Sequence, residues 1–470
     1  MTPRSRPARP RVLIAGGGVA GLETLLGLRA LAGPQVDIEL LSREPEFVCR
    51  PVTVAEPFGF DRASRFGLDA ITRDQGARLR IGSLRAVEAT RHRALTAEGA
   101  EIEFDFLVVA AGARSMPGLR DALSFGGPGD VDAMRETMAE IGSSRFGSVA
   151  FALPPGIGWP VPLYELALLA GTRVNAKGAS GVMLTLVTCE EQPLELFGAG
   201  VADAVRALLT ERGVRLRTAS RVLRVERGRL LVEGGGAVPA DRVITLSRLV
   251  GPEVPGLAHD ESGFIPTDRH GRVQGAADVY AAGDVTTFPL KQGGIAAQQA
   301  DAVCRHIAAR LGAAVQPREW RPVVRGLLLT GADPMRLGVE PDVQPTAARG
   351  DVEGPSGEGG RAADASSQEP EWHPTKIFGR HLGPYLARAQ ARRSAAVESF
   401  PGRAEPQPAG DDRAGDPLSV VLTMAEHDAR CGDHGLALHL LDAAEAVSGP
   451  LPPSYQQKRS EWLAELGGRR

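Results

Sequence analysis

Cysteine is scarce in this chain of 470 residues: Cys49, Cys189, Cys304 and Cys431 stand far apart, with none of the close spacings of a metal-ligand set or a disulfide framework. No metal site and no disulfide are expected, which fits a reducing compartment. Lysine is equally sparse. Lys177, Lys291, Lys376 and Lys458 stand against a background of arginine, and a chain that writes arginine by default keeps a lysine where a compact ammonium is wanted. The net charge is only −3, so the electrostatic footprint of a nucleic-acid partner is missing. Long apolar runs are absent as well, which excludes a membrane-spanning helix and leaves only peripheral membrane contact. The basic RSRPARP at the start runs into too short an apolar stretch for a signal peptide. The expected location is the cytoplasm, including the inner face of the membrane.

Glycine, by contrast, is placed with purpose. An apolar strand over Val12 to Ala15 runs into Gly16, Gly17, Gly18, Val19, Ala20 and Gly21, and then into a helical run from Leu22 to Leu31. In a GxGxxG turn the glycines permit the tight bend, bring backbone N–H groups to a pyrophosphate and let helix and strand pack closely, with the phosphate on the helix N-terminus. Past the middle, Val279-Tyr280-Ala281-Ala282 reads as a buried strand ended by Gly283-Asp284. Lys291, Gly293, Gly294 and Ile295 then open an alanine-rich helix ending near Leu311. Asp284 at the strand end suits a sugar hydroxyl, and the helix N-terminus beside Lys291 suits a negative charge on a bound group. A third strand, FDFLVVAAGAR over 104–114, brings Ala111 and Gly112 to the same place.

With these three segments in order, residues 11–335 resemble the FAD-dependent pyridine nucleotide-disulfide oxidoreductase superfamily. Less specific stretches, EFVCRPVTVAEPFG over 46–59 and TCEEQPLELFG over 188–198, are similar to its sulfide:quinone oxidoreductase and type II NADH dehydrogenase branch. The resemblance implies an α/β chain of two Rossmann-like, three-layer ββα domains with FAD as cofactor, followed by a short helical tail. Residues 10–115 and 250–337 are assigned to the flavin domain and 116–249 to a degenerate NAD(P)-binding-like domain. A disordered linker at 338–371, an acceptor-side module at 372–397, a second linker at 398–415 and a tetratricopeptide-like tail at 416–467 complete the chain.

Two departures from the pattern matter. The ribose carboxylate expected about 20 residues past the third glycine is replaced by Ser42, with Arg43 or Glu44 as its helpers. In the second domain the segment LPPGIGWPVPLYELA over 153–167 keeps Gly158 but puts Pro160 and Leu163 where glycines belong. Proline offers no N–H and leucine blocks close packing, so an orthodox NAD(P)H site is not expected. Sulfide oxidation, in the resemblance, uses cysteines near the flavin. Here Trp159 stands at one such place, Cys49 is the only thiol expected near the isoalloxazine, and Cys304 reads as a buried core residue.

Trp372, His373 and Lys376 are the expected acceptor wall, with Lys376 as the candidate catalytic cation. A helix from Pro384 carries an apolar stripe of Tyr385, Leu386 and Ala389 beside Arg388, Arg392 and Arg393, which suits an anionic membrane or docking on the flavin domain. The tail resembles one tetratricopeptide helix pair, which must pack on something. Its His427, His434 and His439 read as surface residues. The expected function is transfer of electrons through FAD from a small, sulfide-like donor to a quinone-like or small acceptor. An NAD(P)H:quinone or ferredoxin-type oxidoreductase is one alternative, and a flavin-bearing sensor or scaffold whose tail binds a protein partner is another.

Overall fold

The computed structural model describes residues 9–141, 146–178, 181–338, 376, 379–397, 417–430, 432, 434–448 and 450–467. Trp372, His373 and the linkers expected at 338–371 and 398–415 lie outside these residues, except Gly338, which ends a short strand.

Ten strands build two parallel sheets: β1 (Arg11–Ala15), β2 (Asp37–Ser42), β3 (Arg78–Ile81), β4 (Phe106–Val109), β5 (Leu123–Phe125), β6 (Ser148–Ala152), β7 (Met183–Val187), β8 (Val214–Arg217), β9 (Arg242–Leu246) and β10 (Val279–Ala281). The first sheet has the order β10-β4-β1-β2-β3, so the late strand β10 returns beside β4. The second has the order β5-β9-β6-β7-β8. Each sheet is faced by a three-stranded antiparallel sheet, over 84–103 and 222–239 respectively. One antiparallel pair, Arg114–Met116 with Arg248–Val250, carries the chain out of the first sheet and back. This is the doubly wound α/β architecture, in which the inner strands β1, β4, β6 and β7 are buried along nearly their whole length because both faces are covered.

Helix α1 (Val19–Ala32) follows β1 and is buried around most of its circumference. Leu22, Leu25 and Leu28 are fully buried, each worth about 2 kcal/mol. A Cβ on Gly27 would lie 2.8 Å from Cys304 Sγ, so any larger residue there would push α1 away from its neighbour. In the second sheet α2 (Val161–Ala176) begins immediately after Pro160, with Pro162 in its first turn where a missing N–H costs nothing. Helix α3 (Gly293–Arg310) packs along α1.

Helix α4 (Leu382–Val397) settles the choice between membrane and docking: Leu382 and Leu386 are fully buried in the core that includes α1, and Tyr385 Oη donates to Asp74 at 2.8 Å. Its N-terminus is held by Glu23 of α1, which accepts from the N–H groups of His381 at 2.9 Å and Leu382 at 2.7 Å. Helices α5 (Pro417–Arg430), α6 (His434–Ser448) and α7 (Pro453–Gly467) form the tail. The surface reading of its histidines is corrected for two of them. His434 is buried and meets Glu465 at 2.9 Å, and His439 Nε2 lies 3.0 Å from the Thr287 carbonyl oxygen. The His427 side chain lies outside the described residues. Among the described residues no helix is long and apolar enough to cross a membrane.

Candidate functional site

The glycine turn after β1 does three different jobs. Gly16 has φ +129°, and a Cβ there would lie 2.0 Å from the Ala110 carbonyl oxygen. Gly21 is as tight, 1.8 Å from the Gly16 carbonyl oxygen, so helix and strand touch backbone to backbone. Gly18 has nothing within 4 Å. The outer glycines are thus fixed by packing, while the middle one opens on free space at the N-terminus of α1, the geometry a pyrophosphate requires.

Ser42 closes β2 beside this turn. It is buried, its Oγ donates to the Glu44 carbonyl oxygen at 2.8 Å, and a Cβ on Gly17 would lie 2.6 Å from that Oγ. The hydroxyl proton is spent locally, which leaves the oxygen lone pairs facing the turn. Arg43 points to solvent and pairs with Glu44 at 3.1 Å. Ala111 and Gly112 follow β4 at the same sheet edge, Gly112 with φ +72°.

The second segment converges on the first. Gly283, at φ +84°, would place a Cβ 3.0 Å from Ala20 and 3.4 Å from Ala296, so the strand end is squeezed between the starts of α1 and α3. Val19 lies 3.8 Å from the Cβ position of Gly293. Gly293, Gly294 and Ile295 form the first turn of α3, capped by Gln292, whose side chain accepts from the Ile295 N–H at 3.1 Å. The N-termini of α1 and α3 therefore lie side by side. Sequence reading missed Gln299, whose buried side chain accepts from the Gly283 N–H at 2.7 Å and donates to Thr286 at 3.3 Å. Its apolar neighbours give it the look of a helix-face residue.

Lys291 is held by the Thr286 carbonyl oxygen and lies 3.7 Å above the Phe264 ring. Burial pushes its ammonium down to about 7, against the pull of Asp284 and Asp260. Burial raises the carboxyl of Asp284, while Lys291 and Arg50 lower it.

Lys376 donates to Glu165 of α2 and, at 3.3 Å, to the Pro51 carbonyl oxygen. Glu165 is fully buried and its Oε1 also accepts from the Leu329 N–H at 2.8 Å. Burial raises its carboxyl, partly offset by Lys376. Oε2 has no partner among the described residues. Lys376 is thus locked between three segments distant in sequence. Nothing in the sequence ties Glu165 to a residue so far downstream.

The cysteine reading is corrected at one position. Cys189 is disulfide-bonded, with its partner outside the described residues; a bridge between distant segments depends on tertiary proximity, which spacing does not reveal. Cys49 is free but packed in the apolar core of the first sheet, and burial pushes its thiol up to about 12. A thiol held protonated in this way is a poor nucleophile. Cys304 is a core residue as expected, its Sγ 3.3 Å from the Thr24 carbonyl oxygen. No His, Cys, Asp and Glu cluster able to hold a metal occurs among the described residues.

Comparison with known proteins agrees with this geometry. Residues 165–302 match the profile of the pyridine nucleotide-disulphide oxidoreductase family. An NADH dehydrogenase-like protein of Mycobacterium tuberculosis is 27% identical over 297 residues, covering 58% of this chain and 72% of that one. The sulfide-quinone reductase of Aquifex aeolicus is 26% identical over 272 residues, 53% of this chain and 61% of its own length. The solved sulfide:quinone oxidoreductase of Aquifex aeolicus superposes with a TM-score of 0.63 at 22% identity, over 69% of this chain and 82% of that one, which establishes the fold. The family match takes in β7 to β10 and the start of α3, and the oxidoreductase-named relatives extend over more than half of the chain; the chain carries a region of the pyridine nucleotide-disulphide oxidoreductase type and is an oxidoreductase of the flavin type.

Proposed function

We propose that the chain binds FAD across the cleft between the starts of α1 and α3 and passes electrons from a small donor other than a nicotinamide to a quinone-like or small acceptor. The observation that carries this is the meeting of two helix N-termini over an open Gly18, with packing glycines on either side. Bound there, FAD supplies the two-electron carrier chemistry, and the protein supplies position and electrostatics. The N–H groups around Gly17, Gly18 and Val19 hold the pyrophosphate, Ser42 takes a ribose hydroxyl, and Asp284 takes a hydroxyl of the ribityl chain. Ala111 and Gly112 line the way between them. Gly293, Gly294 and Ile295 present N–H groups to the ring end, with Lys291 beside them. An ammonium held near neutrality gives up or regains a proton at Nζ at little cost. Lys376 fixes the Glu165 carboxylate and the Pro51 segment in one position, and the buried pair keeps water out of that wall.

The names of two relatives, the Aquifex sulfide-quinone reductase and the demethylphylloquinone reductase of Synechocystis, support a quinone as acceptor. The name of the mycobacterial relative supports NADH as donor, against which stand Pro160 and Leu163. Stopped-flow mixing of the yellow protein with sulfide, NADH and NADPH separates the readings. Bleaching of the flavin band by a small reductant and not by either nicotinamide is expected. Rapid bleaching by NADH overturns the donor assignment, and a colourless protein that does not take up FAD overturns the cofactor.

A further inference from the structure

The second sheet retains the outline of a dinucleotide cleft: β6, a turn, α2, then β7 and an acidic residue just beyond its end. That acid is Glu190, three residues past the end of β7 at Val187, where such a domain places its ribose-binding carboxylate. Its carboxylate is already engaged inside the fold. Glu190 is buried, and its Oε2 accepts from Tyr164 Oη and from Thr188 Oγ1 at 2.8 Å. The turn itself carries Pro154, Pro155 and Pro160, three positions without an N–H.

What covers the cleft is the tail. Thr423, Met424 and Asp428 of α5 line the space in front of Gly158, Pro160 and Glu190, leaving about 20 Å³. That is room for one water, where a dinucleotide pocket needs several hundred Å³. Met424 Cε is 3.8 Å from the Cβ position of Gly158. Val421, Leu422, Met424 and Ala425 share one apolar core with Leu163 and Tyr164. Leu163, the residue that spoils the glycine fingerprint, is therefore a packing partner of the same core. Polar fasteners hold both ends: Arg430 of α5 pairs with Glu195, and His439 of α6 lies against the Thr287 carbonyl oxygen.

We propose that the C-terminal helices are a built-in occupant of the second dinucleotide cleft and set donor specificity by excluding nicotinamide dinucleotides from it. This deepens the donor assignment above and rests on it only in naming the excluded donor. The test is NADH binding to the full chain, read by NADH fluorescence, which needs neither bound FAD nor turnover, together with tryptic cleavage of the tail. The unaltered protein is expected to show no saturable binding up to about 1 mM NADH, the weak end of specific recognition, with the tail protected. Arg430→Glu sets a carboxylate against Glu195 and should speed tail cleavage and tighten NADH binding, each about ten-fold. Met424→Asp, which puts a charge beside Glu190, should do the same from inside the cleft, and keeps the test decisive if Arg430→Glu does not fold. Saturable NADH binding by the unaltered protein overturns the exclusion, whether the tail stays protected or is released. Faster cleavage of the tail without any gain in NADH binding overturns the role of the tail as the excluding element.

Discussion

Replacing Lys376 by methionine tests the strongest buried interaction near the candidate site. Glu165 is fully buried and the Lys376 side chain is 8% exposed, so the pair is shielded from solvent screening. With the ammonium gone, Oε1 retains only the Leu329 N–H, and Oε2 remains without a partner. An uncompensated buried charge costs about 3–5 kcal/mol. The carboxyl, already raised by burial, can avoid that cost by taking a proton. The sign follows: a carboxyl whose folded value is raised favours the folded state while protonated and loses that contribution as the pH rises. Lys376→Met should therefore be mild at pH 5 and lose about 3 kcal/mol or more at pH 8, read by urea unfolding at the two pH values. Adding Glu165→Gln should recover most of the loss and remove its pH dependence. A single variant that loses less than about 1 kcal/mol at pH 8 would refute the view of this pair as buried and coupled.

Glu23 gives an independent pH signature. Burial takes it from 4.5 to about 7 despite backbone N–H bonds from Leu382, His381 and Arg380 around the start of α4, which at roughly 1.4 kcal/mol per pH unit makes its proton worth about 3 kcal/mol. That contribution is complete below 4.5 and is lost as pH rises through about 7, so Glu23→Gln should match the parent at pH 5 and exceed it at pH 8 in thermal unfolding. Gly21→Ala should yield insoluble or cofactor-free protein, because its Cβ would fall 1.8 Å from the Gly16 carbonyl oxygen. Gly18→Ala should fold normally and lose FAD affinity by ten-fold or more, measured by flavin retention on gel filtration; equal outcomes for the two would contradict the division of labour in the turn. In the native protein neither Cys49 nor Cys304 should react with iodoacetamide within an hour at pH 8, since burial raises both thiols; mass spectrometry of the labelled chain checks this.

Much of the fold was legible because its signals are local. Apolar runs ended by glycine located β1, β4 and β10, and alanine-rich periodicity located α3. The turn chemistry at Gly16 to Gly21 follows from three residue identities and the strand before them. The stripe of Tyr385, Leu386 and Ala389 correctly marked a packed face, although not what it packs on. The missed features are all pairings across the chain: Lys376 with Glu165, Glu23 with the start of α4, Gln299 with Gly283, and the bridge at Cys189. None of these residues has a sequence neighbour that betrays its partner. The tail histidines were misread for the same reason, since a polar residue looks solvent-exposed until the surface covering it is known.

Three buried carboxylates share a physical role. Glu23, Glu165 and Glu190 are each buried where one segment docks on another, and each is met by hydroxyl, ammonium or backbone N–H donors from elsewhere in the fold. Apolar contacts alone tolerate sliding, because a leucine stripe gains nearly the same area in neighbouring registers. A buried carboxylate does not, because displacement by a fraction of a hydrogen-bond length leaves it unsatisfied. At α4 the contrast can be separated experimentally. Glu23→Leu keeps the apolar docking surface and removes the register lock, so α4 should stay helical while its amides exchange hydrogen faster than in the parent. Unchanged protection of Leu382 to Leu386 would show that packing alone sets the register and that the carboxylate serves some other end.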